Sequence, residues 1–143
     1  MATQEFPITN ISHLIPQKTP FVMVDTLLDF TPNKVKSSFT IQEDNLLVKD
    51  HYFLESGLIE NMAQTVALHT GYDFFLRNEV APTGYIGSIK KVEVFQLPKL
   101  HETITTEAHI LHEFMGVTMV EVKAFNQNQE EIASAQMKTV IAN

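Results

Sequence analysis

The chain has 143 residues, a formal net charge of −7 and no cysteine. This length suits one domain, which we predict to span residues 1–143. The absence of cysteine excludes disulfides, a thiolate nucleophile and cysteine zinc sites. Ten lysines and arginines against 17 acidic residues argue against nucleic-acid binding, because proteins that follow a phosphate backbone carry a basic surface.

No export or membrane segment is expected from the sequence. The first residues lack the basic and apolar regions of a signal peptide. The longest apolar segment, residues 57–76, is interrupted by Glu60, His69 and Asp73, and such a segment is too polar to cross a bilayer. We therefore expect a cytoplasmic protein that has no contact with a membrane.

The first third of the chain has the patterns of short elements. Ser12 is a candidate helix cap, and Pro16 would end the helix that Ser12 begins. Apolar and polar residues alternate after the Thr31-Pro32-Asn33 sequence, which is typical of a turn. The predicted segments are a short helix over 10–15, a strand over 21–28, a turn over 31–33 and a strand over 34–42.

One long helix is predicted next, with Ser56 as its N-cap. Apolar residues recur at three- and four-residue steps from Leu58 to Thr70. The apolar surface that they form is broad, which is typical of a helix buried on more than one side.

The rest of the chain has only strand patterns. Gly116 lies in a short connection where a positive φ is expected. The four predicted strands, over 85–95, 102–114, 117–125 and 132–142, are joined by short connections, which favour antiparallel pairing. One long helix against one antiparallel sheet is an α+β layout, in which the sheet wraps around the helix. Open sheet edges would pair with a second subunit.

Three segments of this chain resemble the (3R)-hydroxyacyl-ACP dehydratases of fatty-acid synthesis, a branch of lipid metabolism, which have the hotdog fold. Leu14–Asp25 is similar to the family sequence LPHRxPFLLVD, with Gln17 in place of its histidine. Gly57–Gln64 is similar to the family's helix opening, GVLIIEAMAQ. The segment from Tyr85 to Val92, with Pro98 after it, is similar to a family strand with a trailing proline turn.

The resemblance implies a catalytic pair of His51 and Glu60, which in this family meet across a dimer interface. Gln64 matches the glutamine that orients the carboxylate. His51 and Glu60 are nine positions apart, several fewer than in the family, and Glu55-Ser56-Gly57 replaces its Pro-Gly. The expected substrate tunnel is lined by Phe53, Leu58, Ile59 and Met62.

The expected reaction is the dehydration of a 3-hydroxyacyl thioester without a cofactor. His51 would take the C2 proton. Glu60, which we expect to be buried by Leu58, Ile59 and Met62, would be favoured in its neutral form and would protonate the leaving hydroxyl. Backbone N–H groups near Gly57, at the start of the helix, would polarise the thioester carbonyl.

The resemblance also implies the partners of the chain. The substrate would be carried by acyl carrier protein or by CoA, and the chain would form a homodimer or a trimer of dimers. Four lysines are candidate contacts for an acidic carrier or a phosphopantetheine phosphate, but scattered lysines are more often plain surface charge. They are Lys18, Lys90, Lys91 and Lys99.

Simpler interpretations of the same residues remain open. Glu60 is also explained by the preference of a helix start for acidic residues, His51 as an ordinary loop residue, and Gln64 as the partner of a buried polar group. His109 and His112 are three apart on a predicted strand, so they face opposite ways and no metal site is expected.

The remaining histidines also have simple interpretations. His69 is interpreted as a satisfied core or interface residue, and His101 as a solvated turn residue. For function, the alternatives are a hotdog thioesterase, in which Glu60 activates water, and a non-catalytic acyl-binding or partner subunit. The shortened loop before the helix favours the non-catalytic alternative.

Overall fold

The computed structural model describes residues 5–142, which form one antiparallel sheet, a small hairpin and one helix. The first two strands of the sheet precede the helix, and its other four follow it. The elements are β1 (Thr26–Thr31), β2 (Lys34–Thr40), β3 (Val48–Lys49), β4 (Tyr52–Phe53), α1 (Glu55–Leu76), β5 (Thr83–Val94), β6 (Thr103–Phe114), β7 (Val117–Phe125) and β8 (Glu131–Ala142).

The six-stranded sheet has the order β1-β2-β6-β7-β8-β5, and each neighbouring pair is antiparallel. The inner face of β2 carries Val35, Ser37 and Phe39 at alternating buried positions, as the alternation predicts. The hydrophobic core lies between this face of the sheet and α1, so the α+β layout is confirmed. Short strands β3 and β4 form a separate hairpin, which the sequence analysis did not predict.

The long helix is buried around much of its circumference, as its broad apolar surface predicts. Its buried residues are Gly57, Leu58, Asn61, Met62, Gln64, Thr65, Val66, Leu68, Gly71 and Tyr72. The predicted N-cap is wrong by two positions. The helix begins at Glu55, and Leu54 occupies the cap position without a side-chain hydrogen bond, which leaves the Ser56 side chain within the first turn.

Two predicted segments before the sheet differ in the structure. Residues 12–16 form turns and bends rather than a helix, with one i→i−3 bond from the Leu14 N–H to the Ile11 carbonyl at 2.9 Å. The strand predicted over 21–28 begins only at Thr26. The backbone groups of Phe21 and Met23 are bonded instead to amide side chains of α1, so they do not join a strand ladder.

The turn between β6 and β7 has the conformation that the sequence predicts. Gly116 has a φ of 78°, and Met115 before it has a φ of 52°. Two central residues with positive φ match the right-handed twist of the flanking strands, and glycine adopts this conformation without steric cost. The turn places Val117 opposite Phe114.

The two edges of the sheet are not equally covered. Ile8 bridges Leu27 and covers part of β1. Within residues 5–142, no strand pairs with the outer edge of β5. This strand is exposed at ten of its twelve positions, including the large apolar residues Tyr85, Ile86, Ile89 and Val92. Such an edge is a ready surface for pairing with another chain.

Tyr72 packs in an aromatic cluster under the C-terminal half of α1, with Phe6, Phe30 and Phe75 around it. Burial raises the pKa of the Tyr72 phenol above its ordinary value of 10.0, because a buried phenolate loses hydration. The folded state therefore holds this proton more tightly than the unfolded state does. The resulting stability is complete below about pH 10 and is lost as the pH rises through the folded-state pKa.

We expect Tyr72→Phe to reduce the alkaline loss of stability. The measurement is the urea midpoint of the wild type and the variant across a pH series that passes through about pH 10. The difference between the two proteins should change only in the alkaline part of the series. A constant difference at every pH would contradict the assignment.

The helix α1, the single helix within residues 5–142, is not apolar enough along its length to span a membrane.

Candidate active site

Glu60 lies in the second turn of α1, and its side chain is exposed in this chain. The expectation that its neighbours bury it is therefore wrong for the single chain. Leu58 and Met62 turn into the core instead. Gln64, one turn further along the same face, donates a 2.8 Å hydrogen bond from Nε2 to Glu60 Oε2. The carboxylate thus has a fixed orientation and an open side.

Gln64 connects the helix to the segment that precedes β1. Its Nε2 also donates to the Phe21 carbonyl at 2.9 Å, and its Oε1 accepts from the Met23 N–H at 2.7 Å. The side chain has no exposed surface. Gln64 therefore contacts the Glu60 carboxylate and also satisfies the buried backbone groups of Phe21 and Met23.

Asn61 belongs to a buried polar network that the sequence analysis missed. Its Nδ2 donates to the Met23 carbonyl at 2.7 Å, and its Oδ1 accepts from Thr106 at 2.6 Å. Thr65 donates to the Asn61 carbonyl and is bonded to Ser37. Because buried polar groups are almost always paired, an asparagine in the middle of a buried apolar helix was the signal for this network.

Removal of the Gln64 side chain should loosen the segment before β1. In Gln64→Ala the Met23 N–H and the Phe21 carbonyl lose their partner inside the protein, which should cost about 2–3 kcal/mol of unfolding free energy. Urea unfolding measures this loss. Ser56→Ala, at an exposed helix position, is the matched control and should change stability by less than about 0.5 kcal/mol. Equal stability of the Gln64 variant and the wild type would contradict the anchoring role.

Gly57 is the third residue of α1 and is buried. Leu58 N–H makes the first helical bond, 3.1 Å to the Leu54 carbonyl, so the Gly57 N–H has no acceptor within the helix. The Phe53 ring packs against the α-carbon, and a Cβ at position 57 would lie 2.8 Å from Phe53 Cδ1. Close packing against the Phe53 ring therefore explains why position 57 is a glycine. The Gly57 N–H is one of the donors at the helix start that have no partner within the helix.

His51 lies in the turn between β3 and β4. It has a φ of 69°, its side chain is exposed, and its carbonyl accepts from the Leu100 N–H at 2.8 Å. The backbone is thus anchored while the imidazole faces solvent. His51 does not line the cavity that Glu60 lines, so a single chain does not bring the two predicted catalytic residues into one cavity.

A cavity of about 420 Å³, which we call the Glu60 cavity, lies between α1 and the strands β5 and β8. Its helix wall consists of small side chains below Glu60, namely Ala63, Val66, Ala67, Thr70 and Gly71. The four residues predicted for the tunnel do not line it. Phe53, Leu58 and Met62 have no exposed surface and fill the core, and Ile59 packs against that core.

A second cavity of about 440 Å³, the His69 cavity, lies under the C-terminal half of α1. Its wall includes His69, Asp73, Arg77 and Glu113. His69 Nε2 is 2.9 Å from the Thr31 carbonyl, and its ring stacks on Phe30. This histidine is therefore satisfied, as predicted.

The prediction that His109 and His112 face opposite ways is wrong. A bulge between Ile110 and His112 places the two histidines opposite Glu121 and Met119, which are alternate residues of β7, so both lie on the same face of the sheet. His101 is an exposed turn residue with a φ of 73°, as predicted. Residues 5–142 hold no group of three or more His, Asp or Glu side chains that is arranged to bind a metal ion.

Comparison with known proteins agrees with this architecture. The model of the ApeP-like family, described as ApeP dehydratase, matches residues 9–143. No curated protein matches the sequence. The structure of the dehydratase heterocomplex ApeI:P from Xenorhabdus doucetiae superposes with a TM-score of 0.86 at 16% identity, covering 98% of this chain and 93% of that one.

Two further solved structures are similar at lower scores. A Streptococcus mutans UA159 protein bound to acetyl CoA has a TM-score of 0.65 at 14% identity, covering 82% of this chain and 87% of that chain. A mutant hypothetical thioesterase from Streptococcus pneumoniae TIGR4 has a TM-score of 0.65 at 13% identity, covering 82% of this chain and 89% of that chain. The hotdog fold predicted from the sequence is confirmed, and the family match over nearly the whole chain shows that this protein belongs to the ApeP-like dehydratases.

Proposed function

We propose that the protein is a hydro-lyase that removes water from carrier-linked (3R)-hydroxyacyl thioesters. The observation that carries the proposal is the placement of Glu60. Its carboxylate is held by Gln64 at one end of a cavity whose helix wall is built from small side chains. Membership of a dehydratase family supports the reaction class.

The proposed reaction uses one base and one acid. His51 accepts the C2 proton while the C2–H electrons form the C2=C3 double bond. Glu60 must carry a proton for this step, which requires the second subunit to cover the side chain that is exposed in one chain. It gives that proton to the C3 hydroxyl, the C3–O bond breaks, and water leaves. The Gly57 N–H, free at the positive end of α1, polarises the thioester carbonyl, on which negative charge develops. No cofactor takes part.

The site is proposed to need two subunits. His51 and Glu60 are both exposed in one chain and do not share a cavity. The outer edge of β5 and its apolar side chains offer a surface for a second copy. We therefore infer a homodimer, alone or within a trimer of dimers, in which His51 of one subunit meets Glu60 of the other. The similar ApeI:P structure is a heterocomplex, so it supports association between chains, and a different partner chain is the alternative to a second copy.

This arrangement predicts that two inactive variants rescue each other. His51→Ala and Glu60→Gln should each be inactive alone. After unfolding and refolding together, random pairing would make half of the dimers mixed, each with one intact site, so about a quarter of the wild-type rate should return. Refolding each variant alone is the control. Size-exclusion and mass analysis of the mixture would confirm that mixed dimers form, and mixed dimers without activity would contradict the shared site.

The function itself is tested by the products. The wild type is incubated with 3-hydroxyacyl thioesters of acyl carrier protein and of CoA, and enoyl absorbance and free thiol are followed together. Enoyl product without thiol release supports the dehydratase. Thiol release without enoyl product would replace it with the thioesterase, and the absence of both across several chain lengths would favour a non-catalytic subunit.

A further inference from the structure

The Glu60 cavity and the His69 cavity adjoin each other. Five residues line both of them, Val66, Thr70, Thr118, Thr139 and Ile141. Thr118 and Thr139 are directly opposite each other in the β7–β8 register, and Thr70 lines the same two cavities from α1. We call these three residues the threonine partition.

The threonine partition lies at a defined distance from Glu60. Thr70 is ten residues further along α1, which corresponds to about 15 Å along the helix axis. The helix wall between them carries the small side chains Ala63, Val66 and Ala67. An extended chain that enters beside Glu60 and runs along α1 would therefore reach the partition at its far end.

The two cavities differ in the side chains on either side of the partition. Ionisable side chains line the His69 cavity, where Asp73 and Arg77 form an ion pair at 2.9 Å and Glu113 is a further carboxylate. An apolar tail that crossed the partition would displace water from these groups without replacing their hydrogen bonds, which is unfavourable. The methyl end of an apolar chain is thus best placed on the Glu60 side.

We propose that the threonine partition sets the longest acyl chain that the Glu60 cavity accepts. This inference rests on the proposed function, in which that cavity holds the acyl part of the substrate. Chains that end before Thr70 fit. A longer apolar chain must either push the partition open or enter the polar His69 cavity.

The test changes the size of the partition from both of its walls. Thr70→Leu and, independently, Thr139→Leu should each shorten the longest accepted chain, with a loss of about tenfold or more for the longest wild-type substrates and a much smaller loss for short ones. Thr9→Leu makes the same change at an exposed position that lines neither cavity, so it is the matched control and should keep the wild-type limit. The Thr70 and Thr139 substitutions lie on different elements, α1 and β8. If one variant does not fold, the other still tests the proposal.

Two readouts separate this inference from the proposed function. The first is enoyl formation across a series of 3-hydroxyacyl thioesters. The second is calorimetric binding of saturated fatty acids of graded length, which needs no catalysis. A lowered length limit in the Thr70 and Thr139 variants, by either readout, supports the inference even if no thioester is dehydrated. The same limit in the wild type and in a folded Thr70 or Thr139 variant would overturn it, whether or not the wild type is a dehydratase.

Discussion

Glu60→Gln is expected to reduce enoyl formation by about 10²–10⁴-fold, because the amide keeps the shape of the carboxyl group but cannot act as an acid. The Gln64 Nε2 bond to position 60 can be kept by the amide oxygen, so the fold should not change. Initial rates at saturating 3-hydroxyacyl thioester measure the effect, and thermal unfolding verifies the fold.

The matched control for this substitution is Glu55→Gln. Glu55 is an exposed carboxylate in the first turn of the same helix and does not line the Glu60 cavity. Its variant should keep the wild-type rate. A folded Glu60→Gln protein with the wild-type rate would remove Glu60 from the catalytic machinery.

Gly71→Ala is expected to destabilise the protein by about 4 kcal/mol, at the upper end of the range for single substitutions. A Cβ at position 71 would overlap the Leu14 carbonyl oxygen and lie 2.8 Å from the carbonyl carbon. The obstacle is backbone, so α1 and the turn over 12–16 would have to separate. Helix propensity alone predicts the opposite sign, a gain of about 1 kcal/mol for alanine over glycine.

Chemical unfolding of Gly71→Ala decides between these two effects. Gly84→Ala is the control, because the nearest heavy atom to a Cβ there is the Val140 carbonyl oxygen at 3.9 Å. The control should lie within about 0.5 kcal/mol of the wild type. If the Gly71 variant were as stable as the wild type, the Leu14 backbone would move away from the added Cβ at little cost in unfolding free energy, which would contradict the prediction.

The fold was largely predictable because its main signals are periodic. The alternation along β2 and the apolar repeat along α1 each match one element. The segment over 21–28 shows the limit of this reasoning. Its apolar residues resemble a strand, but hydrogen bonds from Asn61 and Gln64 hold its first residues against the helix. Such long-range side-chain contacts leave no local pattern in the segment itself.

The candidate site was predictable only where its members lie on one helix. Glu60 and Gln64 are one turn apart, so their contact follows from helical spacing. The tunnel residues were not predictable in this way, because a helix that is apolar all round does not reveal which side faces a cavity. The large side chains Leu58 and Met62 fill the core, while the small Ala63 and Ala67 leave the space open.

The most direct test of the central claim is isotope exchange at C2. A 3-hydroxyacyl thioester is incubated with the wild type in D2O, and the remaining substrate and the enoyl product are analysed by mass spectrometry. A reversible dehydration that removes the C2 proton should place deuterium at C2 of the intact thioester, and Glu60→Gln should abolish the label. The account would be contradicted if the remaining 3-hydroxyacyl thioester contained no deuterium at C2, or if free acid were the sole product.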